Sequence, residues 1–261
     1  MKKQIVTITY PNWLLDHVPR FIELLFKSNP DAYLTVFVLL ARDELDKQSA
    51  DAVKLLVAEY EDEWKEGRLA FQYTQISDPY SPGIRNYLIP DLLRAQLLEL
   101  LPGIHRLVYM DPDVDVVGSL DLLFDPENYK YVDVALCTNP AAAHMNGAKY
   151  NIGTILMNRA MLDIAAAVKR VYENDKGIWP EFCPGTQVWN EAVKSVSVGT
   201  LPYCYGTCPH HSPELIAAAK VLHFSGPVMK ALRFMFDYSD FPNSIKLQLK
   251  KQGTKDEEKV G

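Results

Sequence analysis

Asp111, Pro112 and Asp113 set two carboxylates two positions apart, with a proline restricting the backbone between them. If the chain turns there, both acids can reach one hard cation. Magnesium and manganese suit all-oxygen ligands, above all where a phosphate supplies further oxygens. An apolar run over residues 107–110 precedes the acids and stops abruptly at them, with the length and composition of a strand buried on both faces. In an open α/β sheet, ligands bind where strands end at their carboxyl ends, so acids in that place read as a site.

Other chemistries fit the same residues less well. An acidic turn that merely ends a strand needs no further partners. An EF-hand loop opened by Asp111 would want Gly at its sixth position and Glu at its twelfth, where Val116 and Leu122 stand. A haloacid-dehalogenase-type phosphatase would use Asp111 as nucleophile near the start of its domain, with a later Lys and acidic pair. Here the motif lies deep in the chain, and the acids from Asp121 to Asp125 follow too closely. Cys204, Cys208, His210 and His211, with Cys183 as a further donor, raise zinc, but the two adjacent histidines sit too near the second cysteine for a usual zinc module.

The chain that must position these groups has 261 residues, 48% of them hydrophobic, and no Pro/Gly/Ser-rich linker. That composition predicts one large domain, over residues 1–245, and a charged, disordered tail over 246–261. A net charge of -6 disfavours a nucleic-acid surface. Four cysteines in a chain of this size do not make a disulfide framework, and reduced thiols fit a cytoplasmic protein. The apolar run after Met1, Lys2 and Lys3 breaks at Pro11 without a small-residue cleavage site, and no segment approaches the roughly 18 apolar residues of a membrane span. The charge-mixed tail leaves only weak support for peripheral membrane contact.

Hydropathy patterning predicts strands over residues 4–9, 32–40, 69–75 and 132–138 and helices over 13–26, 43–66 and 87–101, with Asn12 as cap of the first and a kink at Pro90 in the third. Strand and helix alternate. That order predicts an α/β fold with a mostly parallel sheet and helices on both faces. Neither Gly-x-Gly-x-x-Gly nor a Walker loop follows the first strand, so dinucleotide and P-loop readings are unsupported.

The stretch from Val108 to Phe124, with Asp-x-Asp after an apolar strand and then a Leu/Asp-rich turn ending in Leu-Phe, resembles glycosyltransferase family eight, the glycogenin-like and lipopolysaccharide galactosyltransferase-like enzymes. Val221, Leu222, His223, Phe224 and Gly226 are similar to the segment that closes the site in that family. The resemblance implies the GT-A architecture of nucleotide-diphospho-sugar transferases, Mn²⁺ or Mg²⁺ as cofactor, and a UDP-sugar donor. It implies transfer of a hexose to a hydroxyl of a carbohydrate, glycolipid or protein, with retention of configuration. A non-catalytic nucleotide-sugar binder is the alternative.

Residue by residue, the resemblance implies metal ligation by Asp111, Asp113 and His223, and a neutral imidazole suits manganese. It puts Ile8 and Tyr10 near the uracil with Trp13 beside them, although both rings could instead pack the first helix onto the sheet. Arg94, or less well Arg85, matches the Arg that touches the donor, and Lys230 matches the Lys that grips the pyrophosphate one residue late. Asn151, in an Asn-x-Gly that reads as a loop, would hold sugar hydroxyls, and Gln187 would lie near the anomeric carbon with Asn190 retained in kind. Thr186 and Asn139 stand where the family has sugar-orienting aspartates, so these two depart from the pattern.

Overall fold

The computed structural model describes residues 2–40, 47–75, 89–138, 148–159, 164–174, 184–209, 213–224 and 233. Arg85, Asn139, Cys183, His210, His211, Lys230 and the tail from Lys246 lie outside the described residues. The strands are β1 (Lys3–Thr9), β2 (Ala32–Leu40), β3 (Leu69–Gln75), β4 (Arg106–Met110), β5 (Val114–Val116), β6 (Val134–Thr138), β7 (Tyr150–Asn158), β8 (Val198–Leu201) and β9 (Val221–His223). The helices are α1 (Val18–Ser28), α2 (Lys47–Glu59), α3 (Glu61–Lys65), α4 (Ile89–Ala95), α5 (Leu97–Leu100), α6 (Asp121–Phe124), α7 (Ile164–Asn174), α8 (Pro184–Ala192) and α9 (Pro213–Ala217).

Seven strands form the main sheet in the order β3-β2-β1-β4-β7-β6-β8, and β5 and β9 pair separately. Within the main sheet only β7 runs against its neighbours, pairing antiparallel with both β4 and β6. The mostly parallel sheet expected from the alternating pattern is therefore present. Side-chain alternation along β4 explains why helices cover both faces. Val108 and Met110 join a core with Phe21, Leu25 and Leu56 of α1 and α2, whereas Leu107 and Tyr109 join one with Leu92, Val168 and Trp189 of α4, α7 and α8. Among the described residues no helix is long and apolar enough to cross a membrane.

Several boundaries differ from expectation. The first helix does not run from Trp13 with Asn12 as cap. A short 3₁₀ turn occupies Pro11–Trp13, and α1 starts at Val18 with His17 as its cap. Pro19 explains the delay, because proline has no N–H to donate inside a helix but is well placed in a first turn. The helix expected over 43–66 breaks at Tyr60, whose backbone leaves the helical region at φ -112° and ψ 45° while its hydroxyl donates to the Pro19 carbonyl at 2.9 Å. In the third helix the break falls at Gln96 and not at Pro90, which lies in the opening turn of α4 where its missing N–H costs nothing. The strand expected from 132 begins at Val134. Asn151 and Gly153 belong to β7 rather than to a loop.

Candidate metal centre

Two pairings bring the acidic motif and the late histidine together. Strand β4 delivers Asp111 and Asp113 beyond its carboxyl end, and the chain then turns into β5. There Val114 lies opposite His223 of β9, and the Phe224 N–H donates to the Asp113 carbonyl at 3.1 Å. Residues far apart in sequence become neighbours through the register of one short ladder. His223 Nε2 stands 3.6 Å from Asp111 Oδ2 and 3.5 Å from Asp113 Oδ1. The side chains of Asp113 and His223 are almost fully buried, while that of Asp111 keeps 18% of its surface and faces the opening.

One ligand atom from each of the three residues lies within 4.8 Å of the others, and no second set of this kind occurs among the described residues. Two carboxylate oxygens and an imidazole nitrogen make a donor set that manganese accepts readily and magnesium tolerates. Among the described residues Cys204 and Cys208 take no part in such a set, and Cys137, Cys204 and Cys208 are free cysteines.

Gly153 gives His223 its place. A Cβ built on Gly153 would stand 2.2 Å from the imidazole Cε1, so the ring lies flush against the backbone of β7. The Gly153 carbonyl also accepts the Asp111 N–H at 2.9 Å, which ties the same strand to the first carboxylate.

Asp111 is aimed from below by two buried donors. Arg94 of α4 places Nη2 3.0 Å from Asp111 Oδ1, and the Tyr109 hydroxyl donates to that oxygen at 2.5 Å. The remaining oxygen points toward His223. Arg94 also holds Asp91 at 2.6 Å, donates to the Ile152 carbonyl at 3.0 Å and lies over the Tyr109 ring at 4.6 Å. Burial works against its charge, but the Asp111 and Asp91 carboxylates raise its pKa further, so the guanidinium stays charged. Burial likewise pushes the Tyr109 phenol well up, which keeps it a donor.

Asp91 was not legible as a site residue. Its carboxylate fills the space a Cβ on Gly185 would need, with Oδ2 1.5 Å from that position, so α4 and α8 meet through an acid and a glycine. Burial pushes its pKa up to about 6, against the pull of Arg94 and with help from Asp111. The folded carboxyl thus keeps its proton to about pH 6, whereas an unfolded one releases it near 3.8. Between those values the unfolded state binds fewer protons, so stability falls as pH rises through the window, by on the order of 3 kcal/mol. Asp91→Asn should flatten thermal stability against pH between about 4 and 6, and an unchanged slope would place that titration on another group.

The acids open into a cleft of about 260 Å³ lined by Ile8, Tyr10, Trp13, Pro90, Asp91, Arg94, Tyr109 and the acidic motif. Ile8 is the last residue but one of β1, and Tyr10 and Trp13 meet edge to face with centroids 6.2 Å apart. Trp13 also lies 5.1 Å from the His17 ring, so it lines the cleft and packs the start of α1 at once. Gln187 is not on this wall. It lines a separate recess of about 450 Å³ with Lys149, Tyr150, Asn190 and Lys194. Asn151 Oδ1 accepts the Gly153 N–H at 2.7 Å, and Asn190 clamps α8 to β7 by exchanging hydrogen bonds with the Tyr150 backbone at 2.8 and 2.9 Å.

Neither a scan against protein-family models nor a search of curated proteins gave a match. Solved structures did. The chain is similar to the galactosyltransferase LgtC in complex with donor and acceptor sugar analogues, at 17% identity and TM-score 0.63 over 92% of this chain and 99% of that one. It is similar to the glycosyltransferase GlyE of Streptococcus pneumoniae TIGR4, at 13% identity and TM-score 0.62 over 96% of this chain and 65% of that one. Mouse xyloside xylosyltransferase 1 in its apo form matches at 11% identity and TM-score 0.57 over 86% of this chain and 98% of that one. At such identities the shared property is architecture, and the chain has the GT-A fold, with its mostly parallel sheet covered by helices on both faces.

Proposed function

We propose that the protein is a metal-dependent glycosyltransferase that moves a hexose from a UDP-sugar to a hydroxyl of a carbohydrate, glycolipid or protein, with retention of anomeric configuration. One observation carries this reading. The single three-ligand set among the described residues, Asp111, Asp113 and His223, stands at the end of a strand in a GT-A sheet, beside a cleft bearing Tyr10 and Trp13. Its oxygen, oxygen and nitrogen donors fit Mn²⁺ or Mg²⁺, which when bound would supply Lewis-acid stabilisation of the charge left on the departing diphosphate.

The chain's own residues divide the remaining work. Ile8, Tyr10 and Trp13 offer an apolar and aromatic wall to a base, which any ring can stack on at little ordering cost. Arg94 and Tyr109 hold Asp111 in one orientation, so that the site need not reorganise when charge develops. Lys230, outside the described residues, would add positive charge toward the diphosphate, Asn151 would hold sugar hydroxyls, and Gln187, from the recess it lines, would lie near the anomeric carbon. With threonine at 186 the sequence offers no clear nucleophile, and we favour attack by the acceptor hydroxyl from the face the diphosphate leaves. The three thiols fit a cytoplasmic protein.

A thermal-shift panel of nucleotide sugars with and without Mn²⁺, run on the parent and on Asp113→Ala, tests the proposal. A UDP-sugar at about 100 times its Kd should stabilise the parent by roughly 2.7 kcal/mol in the presence of metal. The variant should show no such shift, and the parent should release free UDP on incubation with donor and acceptor. Equal stabilisation of both proteins would sink the metal-bridged donor.

A further inference from the structure

Asp115 follows the second ligand carboxylate by two positions on β5 and is completely buried. Burying a carboxylate is costly unless opposite charge and hydrogen bonds compensate it. Two guanidinium groups do so. Arg20 of α1 places Nε 3.0 Å from Oδ2 and 3.2 Å from Oδ1, with Nη2 3.0 Å from Oδ2. Arg233 places Nε 2.6 Å from Oδ1 and is itself completely buried.

Arg20 and Arg233 differ in what else they reach. Arg233 Nη1 donates to the Pro112 carbonyl at 2.7 Å and lies 3.2 Å from His17 Nδ1, and its Nη2 donates to the Val114 carbonyl at 2.6 Å. Those two carbonyls flank Asp113, whose own carbonyl accepts the Phe224 N–H at 3.1 Å. Three successive carbonyls of the ligand-bearing backbone are thus held by residues from the end of the described chain. None of these contacts uses an atom that would touch an ion.

We propose that Arg233 is a positioning residue of the metal centre, fixing through Asp115 and the carbonyls of Pro112 and Val114 the backbone that presents Asp111 and Asp113 to His223. The inference rests on the reading of those three side chains as metal ligands. Its chemical reason is the shape of guanidinium. A planar fork can satisfy a carboxylate and two carbonyls in three fixed directions at once, whereas a lysine ammonium on a flexible stem keeps the charge without the fork. Outer-shell groups that orient ligands in this way typically contribute about 10- to 100-fold to metal affinity.

The test is Mn²⁺ affinity of the full chain, by titration calorimetry or by the paramagnetic resonance of unbound Mn²⁺, for the parent, Arg233→Lys and Arg20→Lys, with melting temperatures recorded beside it. Arg233→Lys should bind Mn²⁺ about 10- to 100-fold more weakly. Arg20→Lys, which loses contacts to the same carboxylate but, among the described residues, none to the carbonyls of residues 112–114, should stay within about threefold of the parent, so lost stability alone cannot account for the difference. If Arg233→Lys does not fold, Asp115→Asn, which keeps the side chain's shape while weakening the Arg233 anchor, should show loss in the same direction. Parent-like affinity in folded Arg233→Lys, or in Asp115→Asn where that variant stands in, would overturn the inference, as would equal losses in Arg20→Lys and Arg233→Lys. A parent that binds no Mn²⁺ would instead overturn the ligand assignment, and this inference with it.

Discussion

Gly153→Ala is expected to weaken Mn²⁺ binding by about 100-fold, the upper end of what outer-shell changes do, although it leaves the side chains of the three proposed ligands, Asp111, Asp113 and His223, in the sequence. The added Cβ would lie 2.2 Å from Cε1, 2.5 Å from Nδ1 and 2.9 Å from Nε2 of His223, closer than any non-bonded contact allows. Something must move. The β4 ladder begins at the next residue, Thr154, and although β6 skips residues 152–154 at a bulge, the Gly153 carbonyl is engaged by the Asp111 N–H at 2.9 Å and its N–H by Asn151 Oδ1 at 2.7 Å. The imidazole is therefore the part that yields, and it has little room because its side chain is only 7% exposed. Overfilling such a site costs about 1–3 kcal/mol in addition to the displaced ligand. Calorimetric titration with Mn²⁺ should show the loss approaching that of His223→Ala. Gly153→Ala with parent affinity would mean that the imidazole is not seated against β7 when metal binds, and His223 would lose its place as a ligand.

That contact shows what the sequence could and could not convey. The acidic motif was legible because β4 is apolar on both faces and stops at charged residues, a contrast visible along the chain. His223 became a candidate only through its resemblance to a known closing segment, since a lone histidine carries no periodicity of its own. Its neighbour across space, Gly153, falls in an Asn-x-Gly that reads as a loop from sequence. What it approaches depends on the β5–β9 register, which no local pattern encodes. Nothing local to Asp115 names its partners, two arginines that come from α1 and from position 233. Pro19 was a readable signal for the late start of α1 that the apolar spacing from Trp13 masked. Tyr109 counted as a strand hydrophobe, and only its end position beside Asp111 turns its hydroxyl into a donor to the site.

Arg94→Leu should destabilise the protein by about 3–5 kcal/mol at neutral pH, the usual consequence of removing one partner from a buried ion pair. Arg94 is the cation between Asp91 and Asp111, at 2.6 and 3.0 Å, and its side chain is 7% exposed. Leucine fills much of the same volume, so the cost would come from two carboxylates left facing each other rather than from a cavity. Arg94→Lys should recover part of that stability by restoring charge, but less of the metal affinity, because an ammonium on a flexible stem lacks the rigid fork that reaches both acids and the Ile152 carbonyl. Acidification separates charge from packing. Asp91 takes up its proton near pH 6 in the parent, and at a higher pH once the arginine that lowers its pKa is gone. The penalty of Arg94→Leu should accordingly shrink between about pH 8 and pH 5 as the repulsion is neutralised. Denaturant unfolding at the two pH values measures it directly. A cost that stayed constant on acidification would make Arg94 a packing residue, and the aim of Asp111 would then rest on the Tyr109 hydroxyl alone.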